Sequence, residues 1–137
     1  MRILLAVVLV VLQAACESGP PAPVEPVWGK QACGHCMMLV SEKPPSAQAL
    51  LADGSRFFFD DVGCMAAWTQ REQADAKALW VRGPGGNGWV DARTATFSAG
   101  NVTPMDFGYL ADSKGVRWED VLAGVVAKTN KRNGGPQ

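Results

Sequence analysis

The sequence predicts an α+β fold in which two small ββαβ-like halves pack together, after an N-terminal lipoprotein signal and a proline-rich tether. Two observations lead to this prediction. A chain of 137 residues, 47% of them hydrophobic, is long enough and apolar enough for one compact domain. Strand-like and helix-like stretches occur on both sides of the glycine-rich segment 83–88. The 13 basic residues equal the 13 acidic ones, so we expect no nucleic-acid partner.

The N-terminal residues have the order of an export signal. Arg2 supplies a positive charge, 3–12 is an unbroken apolar run, and two alanines precede Cys16. Small residues directly before a cysteine are typical of bacterial lipoproteins, in which that cysteine is lipidated. We therefore expect a signal peptide over 1–15 and an exported protein anchored through Cys16 to a bacterial membrane, facing the periplasm. Plain secretion is the alternative.

The mature chain is predicted to consist of a tether, a domain and a tail. Prolines over 16–27 predict an extended tether without a core of its own. The domain follows over 28–130, in halves of about 28–83 and 88–130, and 131–137 is a polar tail. The glycine-rich segment lacks the Lys-Ser/Thr ending of a phosphate-binding loop, so we interpret it as a linker between the halves.

The first half combines a hairpin with a helix. Asp53-Gly54 between two apolar runs predicts the hairpin turn. Asp60 and Asp61 predict a helix start, because carboxylates accept hydrogen bonds from the free amides of a first turn. Capping explains these two residues more simply than acid–base catalysis does. We expect the helix to continue to about Ala78. Strands are predicted at 36–40, 47–52, 55–59 and 79–82.

The second half repeats the strand-then-helix order without a clear repeat of residues. An apolar stripe at helical spacing begins at Trp118 and predicts the last helix. Short strands or turns are predicted at 89–91 and 95–97, and a strand is predicted at 105–111.

Sulfur-bearing residues are concentrated in a few segments. Cys33, Cys36 and two methionines lie within 33–38, Cys64 is followed by another methionine, and Met105 lies in a Thr-Pro-Met sequence. Thiolates and thioethers are soft donors, and together they favour Cu(I) over Zn²⁺, Mg²⁺ or Ca²⁺. If 36–40 is a strand, the side chains of residues 36 and 38 project from one face and can bind one ion.

Three other interpretations remain open at this point. Cys33 and Cys36 in an exported protein are compatible with a thiol-disulfide oxidoreductase, although the following residues look like a strand and such enzymes place the pair at a helix start. A structural zinc site could use these cysteines with Cys64 and His35, but His35 lies inside the CxxC turn, where its ring would have difficulty completing the same tetrahedron. A purely structural lipoprotein with an incidental disulfide is the third.

The combination of segments resembles the NosL family of copper-binding lipoproteins, which assist the maturation of nitrous oxide reductase. The resemblance covers roughly residues 30–112. The matching segments are the leader to Cys16, 33–38, 59–65, 89–92 and 103–105.

This resemblance implies a non-enzymatic Cu(I) chaperone with cysteine and methionine ligands. On this chain the family's Cys-x-Met element falls on Cys36 and Met38, and its Thr-Pro-Met element falls on Met105. Asp106 departs from the family pattern, in which glycine is expected. The implied partners are a membrane-bound copper exporter or assembly complex and an acceptor copper enzyme, first of all nitrous oxide reductase. Further candidate ligands are Cys33, His35 and Cys64.

Overall fold

The computed structural model describes residues 19–135, and it has the predicted α+β class. Four strands, over residues 56–59, 47–51, 76–82 and 89–91 in spatial order, form one antiparallel sheet, and strands over 96–98 and 110–112 form a second, two-stranded sheet. Within residues 19–135, neither helix combines the length and apolarity needed to cross a bilayer. The predicted signal peptide over 1–15 and the lipidated Cys16 lie outside the described residues. The elements are β1 (Ala47–Leu51), β2 (Arg56–Phe59), α1 (Val62–Glu72), β3 (Ala76–Arg82), a 3-10 turn (Pro84–Gly86), β4 (Trp89–Asp91), β5 (Thr96–Ser98), β6 (Leu110–Asp112) and α2 (Trp118–Arg132).

The predicted hairpin forms the start of the larger sheet. β1 and β2 pair in antiparallel register, with Ala47 opposite Phe59. Gly54 in the connecting turn has a φ of +88°, which glycine adopts without steric cost. The Asp53 carboxylate accepts a hydrogen bond from the amide of Ser55 at 2.8 Å and stabilises the turn. The apolar face of this sheet packs against α1.

The opposite face of β1 is covered by the end of the proline-rich segment. The amide of Val24 donates to Gln48 Oε1 at 3.0 Å, and Gln48 Nε2 donates to the Val24 carbonyl at 2.8 Å. The Arg56 guanidinium donates to the carbonyl of Ala22 at 3.0 Å. From Ala22 onward, this segment is therefore fixed to the sheet.

Helix α1 is shorter than predicted, because it ends at Glu72 and not near Ala78. Gln73 adopts the left-handed conformation at φ 47°, and its amide bonds back to the last turn of the helix. The residues that follow pair with β1 instead, with Leu79 opposite Ala49. Burial of this strand in the sheet outweighs the helix propensity of its alanines.

Two predicted strands are also wrong. Residues 36–40 contribute only a single bridge, from Leu39 to Ala32, because Met37 turns the chain at a φ of +66°. The segment 105–111 is mostly a turn, since the backbone at Asp106 and Gly108 has φ values of +55° and +86°. Only its end joins β6.

One core connects the two halves. The apolar stripe predicted for α2 is confirmed, with Trp118, Val121 and Val125 buried. The Trp118 ring lies 5.9 Å from the ring of Phe97 in β5, and α2 packs against α1. The N-terminus of α1 thereby meets the loop that precedes β6, and the candidate site lies beside this junction.

Candidate metal centre

The CxxC sequence forms a tight turn in front of the larger sheet. The amide of Met37 donates to the carbonyl of Cys33 at 3.1 Å, and the amide of Cys33 donates to the carbonyl of Met38 at 2.8 Å. The amide of Gly34 donates to the Phe58 carbonyl at 2.8 Å. These bonds fix the turn against the end of β2 and determine where both of its cysteines lie.

The two neighbouring aspartates at the start of α1 have different roles. Asp61 is the N-cap, as predicted, and accepts a hydrogen bond from the amide of Gly63 at 2.8 Å. Asp60 does not cap the helix, which corrects the sequence interpretation. Its carboxylate accepts instead from the Cys36 thiol, with Sγ 3.3 Å from Oδ1 and 3.5 Å from Oδ2. A helix has one N-cap, so the presence of two adjacent aspartates at the helix start indicates another role for one of them.

Three cysteines and one aspartate converge here. Cys33, Cys36, Asp60 and Cys64 each offer one ligand atom, and these four atoms all lie within 4.8 Å of one another. Cys33 and Cys64 are fully buried, Asp60 is 1% exposed, and Cys36 is partly exposed. All three cysteines are free. We call these four residues the Cys₃Asp centre.

The thiols of the centre differ in acidity. The pKa of Cys33 is lowered from 9.0 to about 7, above all because the Cys64 thiol donates a hydrogen bond to its sulfur. The same interaction, together with burial, raises the pKa of Cys64. Burial raises the pKa of Cys36 to about 12. Cys33 is therefore the most acidic thiol of the centre, and a bound cation must displace the protons of the other two thiols.

His35 lies in the same turn but outside the Cys₃Asp centre. Arg71 Nη1 is 3.0 Å from His35 Nδ1. A guanidinium only donates hydrogen bonds, so Nδ1 is the acceptor in this pair. Burial and the positive charge of Arg71 lower the pKa of His35. This contact directs one ring nitrogen to α1 and not to the cysteines.

The two methionines predicted as ligands lie in the CxxC segment and in the loop beside the start of α1. Met38 is 47% exposed and is tied to Cys33 through its carbonyl. The amide of Met105 donates to Asp61 Oδ2 at 3.0 Å, and its partly buried side chain packs against the core that contains Cys33 and Cys64. One carboxylate thus holds both the start of α1 and the Thr-Pro-Met loop. Met105 is brought to the end of α1 that carries Cys64.

A group of three cysteines and a carboxylate on a small α+β domain is typical of metal-binding proteins. Comparison with known families makes the assignment specific: the family described as NosL matches residues 23–108, and the chain belongs to this family. The resemblance inferred from the sequence is confirmed. The fold is also similar to the crystal structure of the copper chaperone NosL from Shewanella denitrificans, with a TM-score of 0.54 and 20% identity over 79% of this chain and 89% of that chain. Comparison with curated proteins gives no significant match.

Proposed function

We propose that the protein is an exported Cu(I) chaperone that delivers copper for the maturation of a copper enzyme, in the first place nitrous oxide reductase. The convergence of Cys33, Cys36 and Cys64 carries this proposal, because three soft sulfur donors in one place favour a soft monovalent ion. Membership of the NosL family supports it, as does the copper chaperone of similar fold.

The proposed Cu(I) ligands are Cys36, Met38 and Met105, with Cys33 and Cys64 as further sulfur donors. Transfer requires a site that binds tightly but admits a ligand from the acceptor. Cys36 is the partly exposed cysteine of the centre, and Met38 is 47% exposed. An incoming ligand can therefore replace the neutral thioether first, while the buried cysteines still hold the ion.

The proposed lipid anchor keeps this site near the membrane. Because the chain is fixed to the sheet from Ala22 onward, the free tether after Cys16 spans at most about 20 Å. A domain held at this distance has a high effective concentration for a membrane-bound copper exporter or assembly complex. Chaperone activity involves no chemical turnover, so we propose no enzymatic reaction.

The geometry does not favour a thiol-disulfide oxidoreductase. Such enzymes use an exposed cysteine of low pKa at the start of a helix. Here Cys33 has the lowered pKa, but it is fully buried. The CxxC turn precedes a sheet and is not the first turn of a helix. An insulin-reduction assay of the wild type and Cys33→Ser checks this directly, and we expect both to be inactive.

Anaerobic titration with Cu(I) against a chromophoric chelator tests the proposal on the reduced full chain in detergent. We expect about one tight equivalent, weakened at least ~10-fold in Cys36→Ser, Met38→Ala and Met105→Ala, because even residues that only orient a ligand have effects of this size. Met37→Ala is the matched control, since this neighbouring methionine is 71% exposed. Equal affinity in all of these variants would show the ligand set to be wrong.

The acceptor is tested in the bacterium that produces the protein. We expect deletion of the gene to leave nitrous oxide reductase deficient in copper, with the wild type but not Cys36→Ser restoring it. Full copper loading of the reductase without the chaperone would contradict the assigned acceptor and leave the copper site itself unaffected.

A further inference from the structure

We propose that the Cys₃Asp centre is also a closed tetrahedral site for Zn²⁺, bound by the sulfur atoms of Cys33, Cys36 and Cys64 and a carboxylate oxygen of Asp60. This binding mode shares cysteines with the Cu(I) site, but its fourth ligand is a carboxylate and not a methionine. The two modes are therefore mutually exclusive, and each has a ligand that the other does not use.

The spacing of the ligand atoms fits this ion. Zinc bonds of ~2.3 Å to sulfur and ~2.1 Å to oxygen at tetrahedral angles place neighbouring ligand atoms about 3.6 to 3.8 Å apart. Cys36 Sγ lies 3.3 and 3.5 Å from the two carboxylate oxygens of Asp60, and the whole set lies within 4.8 Å. Closure around zinc needs movements of about 1 Å or less, which is within the range of side-chain adjustment.

Asp60 is the residue that the Cu(I) site leaves unexplained. Its carboxylate is 1% exposed, and none of the ion pairs in the described part of the chain includes it. A buried carboxylate without a cation is unfavourable, because the thiol of Cys36 only partly replaces its hydration. A carboxylate oxygen is a common zinc ligand and a poor partner for Cu(I). A divalent ion thus supplies the charge that this position lacks.

The structure provides a fourth zinc ligand other than His35. His35, the fourth zinc ligand that the sequence offers, contacts Arg71 instead. Asp60 takes its place from the junction of β2 and α1, one turn from Cys64. With three of its four ligands buried, this site has the closed character of structural zinc sites. In this mode zinc protects the thiols, and Cu(I) must displace it from Cys36 to bind.

Titration of the reduced, metal-free full chain with Zn²⁺ and with Co²⁺ as its spectroscopic substitute tests the proposal. We expect one equivalent of Zn²⁺, and with Co²⁺ the intense visible bands of a tetrahedral thiolate site. Asp60→Asn is expected to weaken Zn²⁺ binding ~10- to 100-fold, and to weaken Zn²⁺ binding more than Cu(I) binding, because Asp60 is a direct ligand of Zn²⁺ and contacts Cu(I) only through Cys36. Asp75→Asn, at an exposed position, is the matched control and should change neither affinity.

The methionine variants provide the reciprocal test, which also applies if Asp60→Asn does not fold. Met38→Ala and Met105→Ala should weaken Cu(I) binding and leave the affinity for Zn²⁺ and the spectrum of Co²⁺ unchanged. A six-coordinate Co²⁺ spectrum, or unaltered Zn²⁺ affinity in folded Asp60→Asn, would overturn the zinc site. A wild-type protein that binds Zn²⁺ but not Cu(I) would instead contradict the proposed copper function.

Discussion

Gly63→Ala tests how the two halves meet beside the metal centre. A Cβ at Gly63 would lie 2.5 Å from Cδ2 of Phe107 and closer still to its Cβ and Cγ. Phe107 is 6% exposed, and its Cβ is fixed by the backbone, so rotation of the ring cannot relieve the overlap. The loop that carries Met105 must therefore move away from the start of α1.

The net effect follows from two opposing contributions. Overpacking of a well-packed core costs about 1 to 3 kcal/mol, and we expect the upper end because Cβ itself is in the way. Alanine in place of glycine stabilises a helix by at most ~1 kcal/mol, and less in its first turn. We expect Gly63→Ala to lower the free energy of unfolding by about 2 kcal/mol. Displacement of Met105 should also weaken Cu(I) binding.

Urea denaturation of the metal-free, reduced protein measures the difference. A loss of about 2 kcal/mol lowers the midpoint by roughly 1 to 2 M for a protein of this size. Gly124→Ala in α2 is the control, because its Cβ would meet the hydroxyl end of Tyr109, with Cζ at 3.2 Å, and that ring can shift. We expect this variant to be neutral or up to ~1 kcal/mol more stable. Equal stability of Gly63→Ala and the wild type would refute the proposed close approach.

Three further predictions concern the titration and capping of the site. In the metal-free protein, thiolate absorbance should appear at pH about 7, because the pKa of Cys33 is lowered, and it should shift to higher pH in Cys64→Ala. The pKa of Cys33 is lower in the folded than in the unfolded state, so the free energy of unfolding should fall as the pH is lowered through about 7, where the thiols of Cys36 and Cys64 are protonated in both states. A single thiolate transition near 9 would contradict this. The chain has one histidine, so proton NMR can follow His35 alone. The pKa of His35 should be below its ordinary value in the wild type and return toward that value in Arg71→Gln. A wild-type pKa at or above the ordinary value would exclude the contact between His35 and Arg71. Asp61→Ala should lower the free energy of unfolding by about 2 to 4 kcal/mol in chemical denaturation, because it removes the helix cap at Gly63 and leaves the amide of Met105 without its acceptor. A loss below about 0.5 kcal/mol would show that the Asp61 carboxylate holds neither amide.

The sequence predicts the family of the protein, but it does not predict the arrangement of the metal centre. Ordered short segments from Cys33 to Met105 were enough to identify the family, and the family model confirms it. The ligand set remains a prediction, because it was carried over from the resemblance. The sequence predicts helix capping for Asp60 as well as Asp61, because it does not show which of two adjacent aspartates accepts from the first turn of the helix.

Structural features that depend only on residues close in the chain can be predicted from the sequence alone. The hairpin at Asp53-Gly54, the N-cap Asp61 and the buried stripe beginning at Trp118 depend on local dihedral angles, hydrogen bonds and periodicity. The end of α1 was decided instead by pairing of β3 with β1, because burial in a sheet outweighs local propensity. The Cys₃Asp centre likewise exists because folding brings a turn, a strand end and a helix start together, and these long-range contacts leave no periodic signal in the chain.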